Sequence, residues 1–259
     1  MKKVHLTFDD GPHAINTPLI LDTLQKYNIK ATFFVLGERV EQGGEIIKQM
    51  ISEGHRVGNH SYSHRQLTTL SEQQIIKEIK DTEAVISQYI IADRIIRPPY
   101  GARNEQVNQV ITSLGYHTVM WSVDTEDWKR KPGGWIPYGL EQISRQEKNL
   151  VLMHDIHSTT AAGLPRFIEK IKALPAEFVD LETLTGFPPP HSHRDSDAVG
   201  RQPAPAGHYH TVVAGDTLSS IARQYYGAAG RWGEIYEANR GRIGNPDVLI
   251  PGQRIVIPE

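Results

Sequence analysis

The chain contains no cysteine among its 259 residues. Disulfides, zinc–thiolate centres and thiol nucleophiles are therefore excluded together. It also lacks an excess of charge of either sign: 28 Lys and Arg stand against 30 Asp and Glu, a formal charge of −2. A basic, phosphate-tracking surface is thereby excluded as the main theme, and no nucleic-acid partner is expected. No run approaches the ~18 consecutive apolar residues that a membrane-spanning helix needs, so no membrane partner is expected either. Met1-Lys2-Lys3 has the basic start of an export signal, but His5, Thr7, Asp9 and Asp10 come where its apolar stretch would have to follow. The chain reads as cytoplasmic or as a mature form without its leader. Its 39% apolar and 22% charged residues are an ordinary soluble balance.

What is present falls into two blocks. Residues 186–207 hold five prolines without apolar periodicity and read as a semi-extended linker. His191 and His193 within it have no ligand partners nearby and read as part of a solvated tether. The linker separates a first domain, 1–185, from a tail, 208–259. Linker and tail are each balanced in charge, so the net −2 sits on the first domain.

The first domain alternates short β-branched or aromatic runs with amphipathic segments. Seven strands are expected: Val4–Phe8, Ala31–Leu36, Arg56–Asn59, Ile95–Arg97, Thr118–Val123, Leu150–Met153 and Phe178–Leu181. Helices are expected from Thr17-Pro18, a cap followed by proline, and from the capping box Ser71-x-x-Gln74. Val107, Val110, Ile111 and Leu114 repeat at helical spacing, and Gly115 stops that helix. Strand–helix alternation implies parallel strands wrapped by helices. Seven strands point to an incomplete or distorted barrel, with an open doubly wound sheet as the alternative.

Ionisable residues collect just after these strands: Asp9 and Asp10, His60 and His64, Arg97, Asp124 and Asp127, His154 and Asp155. In a parallel α/β barrel all such strand ends open on one face, where these folds build their sites. His60 and His64 with one carboxylate make a two-His, one-carboxylate set that leaves positions open on a divalent ion. Of the adjacent Asp9 and Asp10, one can face a metal and the other the substrate, since neighbours on extended chain point different ways. Arg97 at a strand end can hold one of those carboxylates in a fixed rotamer. A carboxylate such as Asp127 beside His154 would raise its pKa and prepare a proton donor.

Thr7-Phe8-Asp9-Asp10-Gly11-Pro12, His60-Ser61-Tyr62-Ser63-His64, Arg97-Pro98-Pro99-Tyr100-Gly101, Asp124–Trp128 and Leu152-Met153-His154-Asp155 together resemble the five ordered motifs of the polysaccharide deacetylases, the NodB-homology or family 4 carbohydrate esterases. The resemblance spans residues 1–185 and implies a distorted (β/α)7 barrel of that type. It further implies that Asp10, His60 and His64 bind one divalent metal, zinc first, with cobalt, nickel or manganese as alternatives. By the same resemblance Asp9 is the general base, His154 the general acid and Arg97 the residue that orients Asp9. Asp127, with Asp124 as the alternative, pairs with His154. Tyr100 contributes its N–H to an oxyanion site, and Trp128 and Leu152 line the acetyl pocket. The implied reaction is removal of acetyl groups from N-acetylglucosamine units of a polysaccharide.

The tail, from Tyr209-His210-Thr211-Val212-Val213-Ala214-Gly215-Asp216-Thr217-Leu218 to Ile255-Val256-Ile257, is similar to a LysM module of β-α-α-β order. That implies a glycan partner, peptidoglycan or chitin. The implied groove involves Asp216, Thr217, Leu218, Asn245, Pro246, Asp247 and Ile250. The leading expectation is a monomeric, secreted or cell-wall-associated peptidoglycan deacetylase tethered by its tail. A chitin or chitooligosaccharide deacetylase, an acetylxylan esterase and a silent wall-binding protein are the alternatives. A glycosidase is disfavoured because paired-carboxylate chemistry has no need of the histidines.

Overall fold

The computed structural model describes residues 1–90, 92–188, 207–213, 215–239, 243, 246, 249 and 254–258. The chain divides into two units, 1–192 and 193–259. In order, the first unit holds β1 (Lys2–Asp9), α1 (Asn16–Tyr27), β2 (Thr32–Val35), α2 (Gly37–Val40), α3 (Gly44–Ser52), β3 (Arg56–Asn59), α4 (Glu72–Ile86), β4 (Ile95–Ile96) and α5 (Glu105–Ser113). It continues with β5 (His117–Thr118), β6 (Val123–Asp124), α6 (Pro132–Ser144), β7 (Lys148–His154), α7 (Ser158–Lys172), β8 (Ala176–Phe178) and α8 (Leu181–Thr185).

The strands form one parallel sheet in the order β5-β4-β3-β2-β1-β7-β6, with β8 added on β1. This is a curled half-barrel whose two edges, β5 and β6, are not paired with each other. The single strand expected at Thr118–Val123 is thus two short strands on opposite edges, and residues 119–122 cross the gap. The Arg97 guanidinium donates to the carbonyls of Val119 (3.0 Å) and Met120 (3.2 Å), taking up acceptors that a continuous strand would have used. The strand expected at Phe178–Leu181 ends at Phe178, where α8 begins soon after.

Strand parity sorts the side chains. Val4, Leu6 and Phe8 of β1 join Phe33, Val35, Val57, Val151 and Met153 in the core between sheet and helices. Phe34, Ile95 and Leu150, on the opposite parity, belong to a second cluster inside the curl. Gly58 faces inward too, and a Cβ there would lie 2.7 Å from the Phe34 ring. The positions that continue this inward parity to the carboxyl ends of the strands are Asp9, His60, Arg97 and His154.

β1 meets β2 through Thr7–Asp9 but β8 through Lys2–Val4, on the same edge. His5 sits at that fork, with Nδ1 2.7 Å from the Val179 carbonyl and Nε2 2.9 Å from Thr32 Oγ1. Burial pushes its pKa down to about 4, against the opposing pull of the Val179 carbonyl. The folded value lies below the unfolded 6.5, so this contribution is complete above pH 6.5 and is lost as pH falls from there toward 4. Its full size is about 3 kcal/mol, and His55, also pushed down to about 4 by burial, acts with the same sign. Urea unfolding should show lower stability at pH 4.5 than at pH 7, and His5→Gln should flatten that slope. An unaltered slope in the variant would refute the assignment.

Two expectations about chain boundaries change. Helix α1 begins at Asn16, ahead of Thr17, which does not cap it. The Thr17 hydroxyl instead donates to Asp155 Oδ2 (2.5 Å) and accepts from the His13 N–H. Gly186 closes α8 in the left-handed region and Phe187 stacks on His117 at 4.4 Å. Arg56, paired with Asp93, donates to the carbonyls of Phe187 and Pro188. Residues 186–188 therefore pack on the first unit rather than opening the linker. The rest of the expected linker, 189–206, lies outside the described residues. The Ser71 capping box and the Gly115 stop occur as the sequence predicts.

The second unit holds β9 (Gly207–Thr211), α9 (Leu218–Tyr226), α10 (Trp232–Ala238) and β10 (Arg254–Pro258), with β9 and β10 antiparallel. Its core is Val212, Leu218, Ile221, Ala222, Ile235, Ile243, Ile255 and Ile257. Buried Asn239 fastens α10 to β10, donating to Ile235 O and Val256 O and accepting from Val256 N.

Candidate active site

Asp9 ends β1 pointing inward, where Arg97 Nη1 donates to its Oδ1 at 2.7 Å. The same nitrogen donates to Thr7 Oγ1 at 2.7 Å. Arg97 is completely buried and lies 4.3 Å over the Phe34 ring. Burial pulls the guanidinium below its usual range, with Asp9 opposing, and the group remains a cation. Asp9 Oδ2 is left free of Arg97 and lies 3.8 Å from His60 Nε2.

At Asp10 the chain turns through φ 76°, which brings the second carboxylate round to the histidines. Asp10 Oδ1 lies 3.2 Å from His60 Nε2 and 3.1 Å from His64 Nε2. His60 Nδ1 faces the Arg97 carbonyl at 2.6 Å; a carbonyl only accepts, so Nδ1 carries a proton, and in the neutral ring Nε2 then presents a lone pair. That lone pair confronts Asp10 Oδ1, a buried oxygen with no hydrogen-bond partner. Acceptors converging in this way need a cation between them. Asp10, His60 and His64 are a group able to supply one ligand atom each, all within 4.8 Å of one another. The residues present thus fit a divalent ion.

His154 ends β7 beside them. Its Nδ1 and Asp127 Oδ1 are 2.8 Å apart, its own N–H donates to Asp127 Oδ2, and Thr160 Oγ1 donates to that oxygen as well. Burial works to lower the His154 pKa, but the Asp127 hydrogen bond and charge, with Asp9 and Asp10 behind them, push it up to about 9. Asp124 has a different place: its Oδ1 accepts from the Glu126 N–H, and the residue lines the cleft. Of the two acids, Asp127 is the one bonded to His154.

The cleft has a volume of about 530 Å³. Asp9, Asp10, His60, His64, Tyr100, Trp128, Leu152 and His154, all singled out in the sequence, line it. Trp121, Ile156 and His157 line it too and were not anticipated, although each lies within three residues of a motif position. Trp128 and Tyr100 keep 56% and 67% exposure, so the rim carries aromatic faces open to solvent. Among the described residues six non-glycine positions have positive φ, and five of them (Asp10, Ser61, His64, Tyr100 and Glu126) belong to the loops that build this cleft. Strained backbone concentrated in that way is the pattern of a functional site. Asp155, completely buried next to His154, packs so tightly on Gly11 that a Cβ there would meet Asp155 Oδ2 at 2.0 Å. Burial pushes its carboxyl up to about 7, against the Thr17 hydroxyl.

In the second unit, Asp216 Oδ2 accepts from the Val213 N–H and pairs with His210 Nε2 at 2.7 Å. Thr217 caps α9 in a box with Ser220. The Leu218 side chain is buried in the core, so it cannot itself face a ligand. Pro246 is half-buried in a turn. Asn245, Asp247 and Ile250 lie outside the described residues.

Comparison with known proteins agrees with this geometry. The polysaccharide deacetylase profile matches residues 1–119, and the LysM domain profile matches 210–258. The peptidoglycan-N-acetylglucosamine deacetylase PgdA of Listeria monocytogenes is 45% identical over 186 residues, 71% of this chain; the chain spans only 39% of that relative's length. The crystal structure of the Bc1960 peptidoglycan N-acetylglucosamine deacetylase superposes with a TM-score of 0.67 at 36% identity, covering 70% of this chain and 87% of that one. BA3943 of Bacillus anthracis, described as a family 4 pseudoenzyme, superposes with a TM-score of 0.64 at 30% identity, covering 71% of this chain and 65% of that one. A half-barrel with these motifs at its strand ends, followed by a β-α-α-β unit, has one consistent family reading: the chain belongs to the polysaccharide deacetylases of carbohydrate esterase family 4 and carries a LysM domain after its deacetylase domain.

Proposed function

We propose that the chain is a metal-dependent N-deacetylase that removes acetyl groups from N-acetylglucosamine units of peptidoglycan and is held on the cell wall by its LysM domain. The observation that carries this reading is the complete set of Asp9, Asp10, His60, His64, Arg97, Asp127 and His154 around one cleft. A silent wall-binding protein of the same fold would have no need to hold all of them in register. The names of PgdA and Bc1960 support peptidoglycan as substrate.

Asp10, His60 and His64 would hold the ion, zinc in the first instance, and the ion would supply Lewis acidity at the acetamide carbonyl. Asp9 Oδ2, the oxygen that Arg97 leaves free, takes the proton of the attacking water. Tyr100, which lines the cleft, would offer its N–H to the oxyanion, a contact of a kind worth about 3 kcal/mol. His154 keeps its Nδ1 on Asp127, so its Nε2 delivers the proton to the departing amine. A pKa raised to about 9 keeps that imidazole protonated at neutral pH. Trp128 and Leu152 enclose the acetyl methyl.

Acetate release from peptidoglycan, chitin oligomers and acetylxylan, measured side by side, tests the reading. Peptidoglycan should be the best substrate, exhaustive chelation should abolish release, and added zinc should restore it. Because His154 must be protonated, kcat/KM should fall as pH rises through its pKa; a cation seated on Asp10 moves that limb below 9. Activity that survives complete metal removal would refute the proposal.

A further inference from the structure

The His60 N–H donates to the Val35 carbonyl at 3.0 Å, but the turn that follows, residues 61–64, makes no backbone-to-backbone hydrogen bond from its own N–H groups among the described residues. Ser61 N donates to Asn59 Oδ1 (2.8 Å) and His64 N to Ser61 Oγ (3.2 Å). Tyr62 N and Ser63 N both donate to Glu78 Oε2 at 2.9 Å, and Ser63 Oγ donates to Glu78 Oε1 at 2.7 Å. Ser61 and His64, on either side of those two N–H groups, stand at φ 69° and 57°. The backbone is thus folded into a concave nest of N–H groups, a conformation that L-residues adopt at a cost unless an anion fills it. Glu78 fills it from α4, and it is buried. A second tie runs beside it, from Asn59 Nδ2 to Ile79 O.

Glu78 occupies the inward stripe of α4 with Ile75, Ile79 and Thr82. A carboxylate at a core position is costly unless its oxygens are satisfied, and here three donors satisfy them. We propose that Glu78 is a positioning residue for the metal site: by anchoring the 61–64 turn to α4, it sets His64 against Asp10 and His60 and so determines the affinity for the divalent cation. The proposal rests on the reading of Asp10, His60 and His64 as the metal site. Glu78 itself touches neither substrate nor ion.

Zinc titration of the full chain against a chelating indicator tests it, with folding followed by circular dichroism. Glu78→Ala should weaken zinc about 10–100-fold. Glu78→Gln keeps one oxygen for the two backbone N–H groups and an amide N–H for Ser63 Oγ, so it should rescue most of the affinity. Val85→Ala, a core truncation on the same helix, should lower thermal stability and leave zinc affinity unchanged. If Glu78→Ala does not fold, Glu78→Asp, one methylene too short to span the gap, should show the same weakening. Wild-type affinity in a folded Glu78→Ala or Glu78→Asp chain would overturn the proposal, as would equal weakening by Val85→Ala. If the wild-type chain binds no zinc, or His60→Ala binds as well as wild type, the metal-site reading itself fails.

Discussion

Asp9→Asn should lower kcat for acetate release by about 10²–10⁴-fold, the span that general-base catalysis supplies. Zinc binding by Asp10, His60 and His64 should persist in that variant. Asparagine has the shape of aspartate, and its amide oxygen can still accept from Arg97 Nη1. What it loses is the ability of the second atom, the one facing the cleft, to take a proton. Asp10→Asn should fail differently, losing zinc affinity and turnover together, because Asp10 Oδ1 is the oxygen on which both imidazoles converge. The two carboxylates are neighbours in the chain, yet strand parity and the φ of 76° at Asp10 give them separate partners. Titrating zinc and measuring acetate release on the same preparations separates the roles. Parallel loss of both properties in Asp9→Asn would show that Asp9 serves the ion rather than the water.

The sequence made the face of the site legible because a parallel sheet leaves little choice. Strands that all run one way bring Asp9, His60, Arg97 and His154 to one end, and alternate-residue parity turns them inward. The missing parts have long-range causes. Thr118 to Val123 reads as one strand because its residues suit a strand, but Arg97, more than twenty residues earlier, takes the carbonyls that would continue it. Asp124 and Asp127 are both plausible partners for His154 in one dimension. The choice is made by Glu126 at φ 53°, which turns the chain after Asp124 has been bonded to the Glu126 N–H. Thr17 looks like a cap because it precedes Pro18, yet its hydroxyl is drawn to Asp155, brought alongside by the pairing of β7 with β1. Glu78 did leave a local trace. It interrupts the buried stripe Ile75, Ile79, Thr82 with a carboxylate, and a charge on a core face is a request for donors that the helix itself cannot provide.

Arg97→Met should both unfold the chain more readily and silence it. The guanidinium contributes hydrogen bonds to Val119 O, Met120 O, Thr7 Oγ1 and Asp9 Oδ1, and it is wholly buried. Methionine can fill the volume but leaves the Asp9 carboxylate without its countercharge, an error that costs about 3–5 kcal/mol at a buried pair. The carboxylate would also lose the hydrogen bond that fixes its Oδ1 and leaves Oδ2 free for the water, so the base is no longer held in place. Arg97→Lys should not rescue the site, since a single ammonium cannot replace a planar fork that bridges a carboxylate and two carbonyls. The cause can be isolated with a double-mutant cycle. If the unpaired charge dominates, Arg97→Met should cost clearly less stability in an Asp9→Asn background than in wild type, because no anion is then stranded. Urea unfolding of the four chains at pH 7 measures this directly. An equal cost in both backgrounds would place the role of Arg97 in the carbonyls of residues 119 and 120, where it holds the crossing between the two open edges of the half-barrel, and not in the ion pair with Asp9.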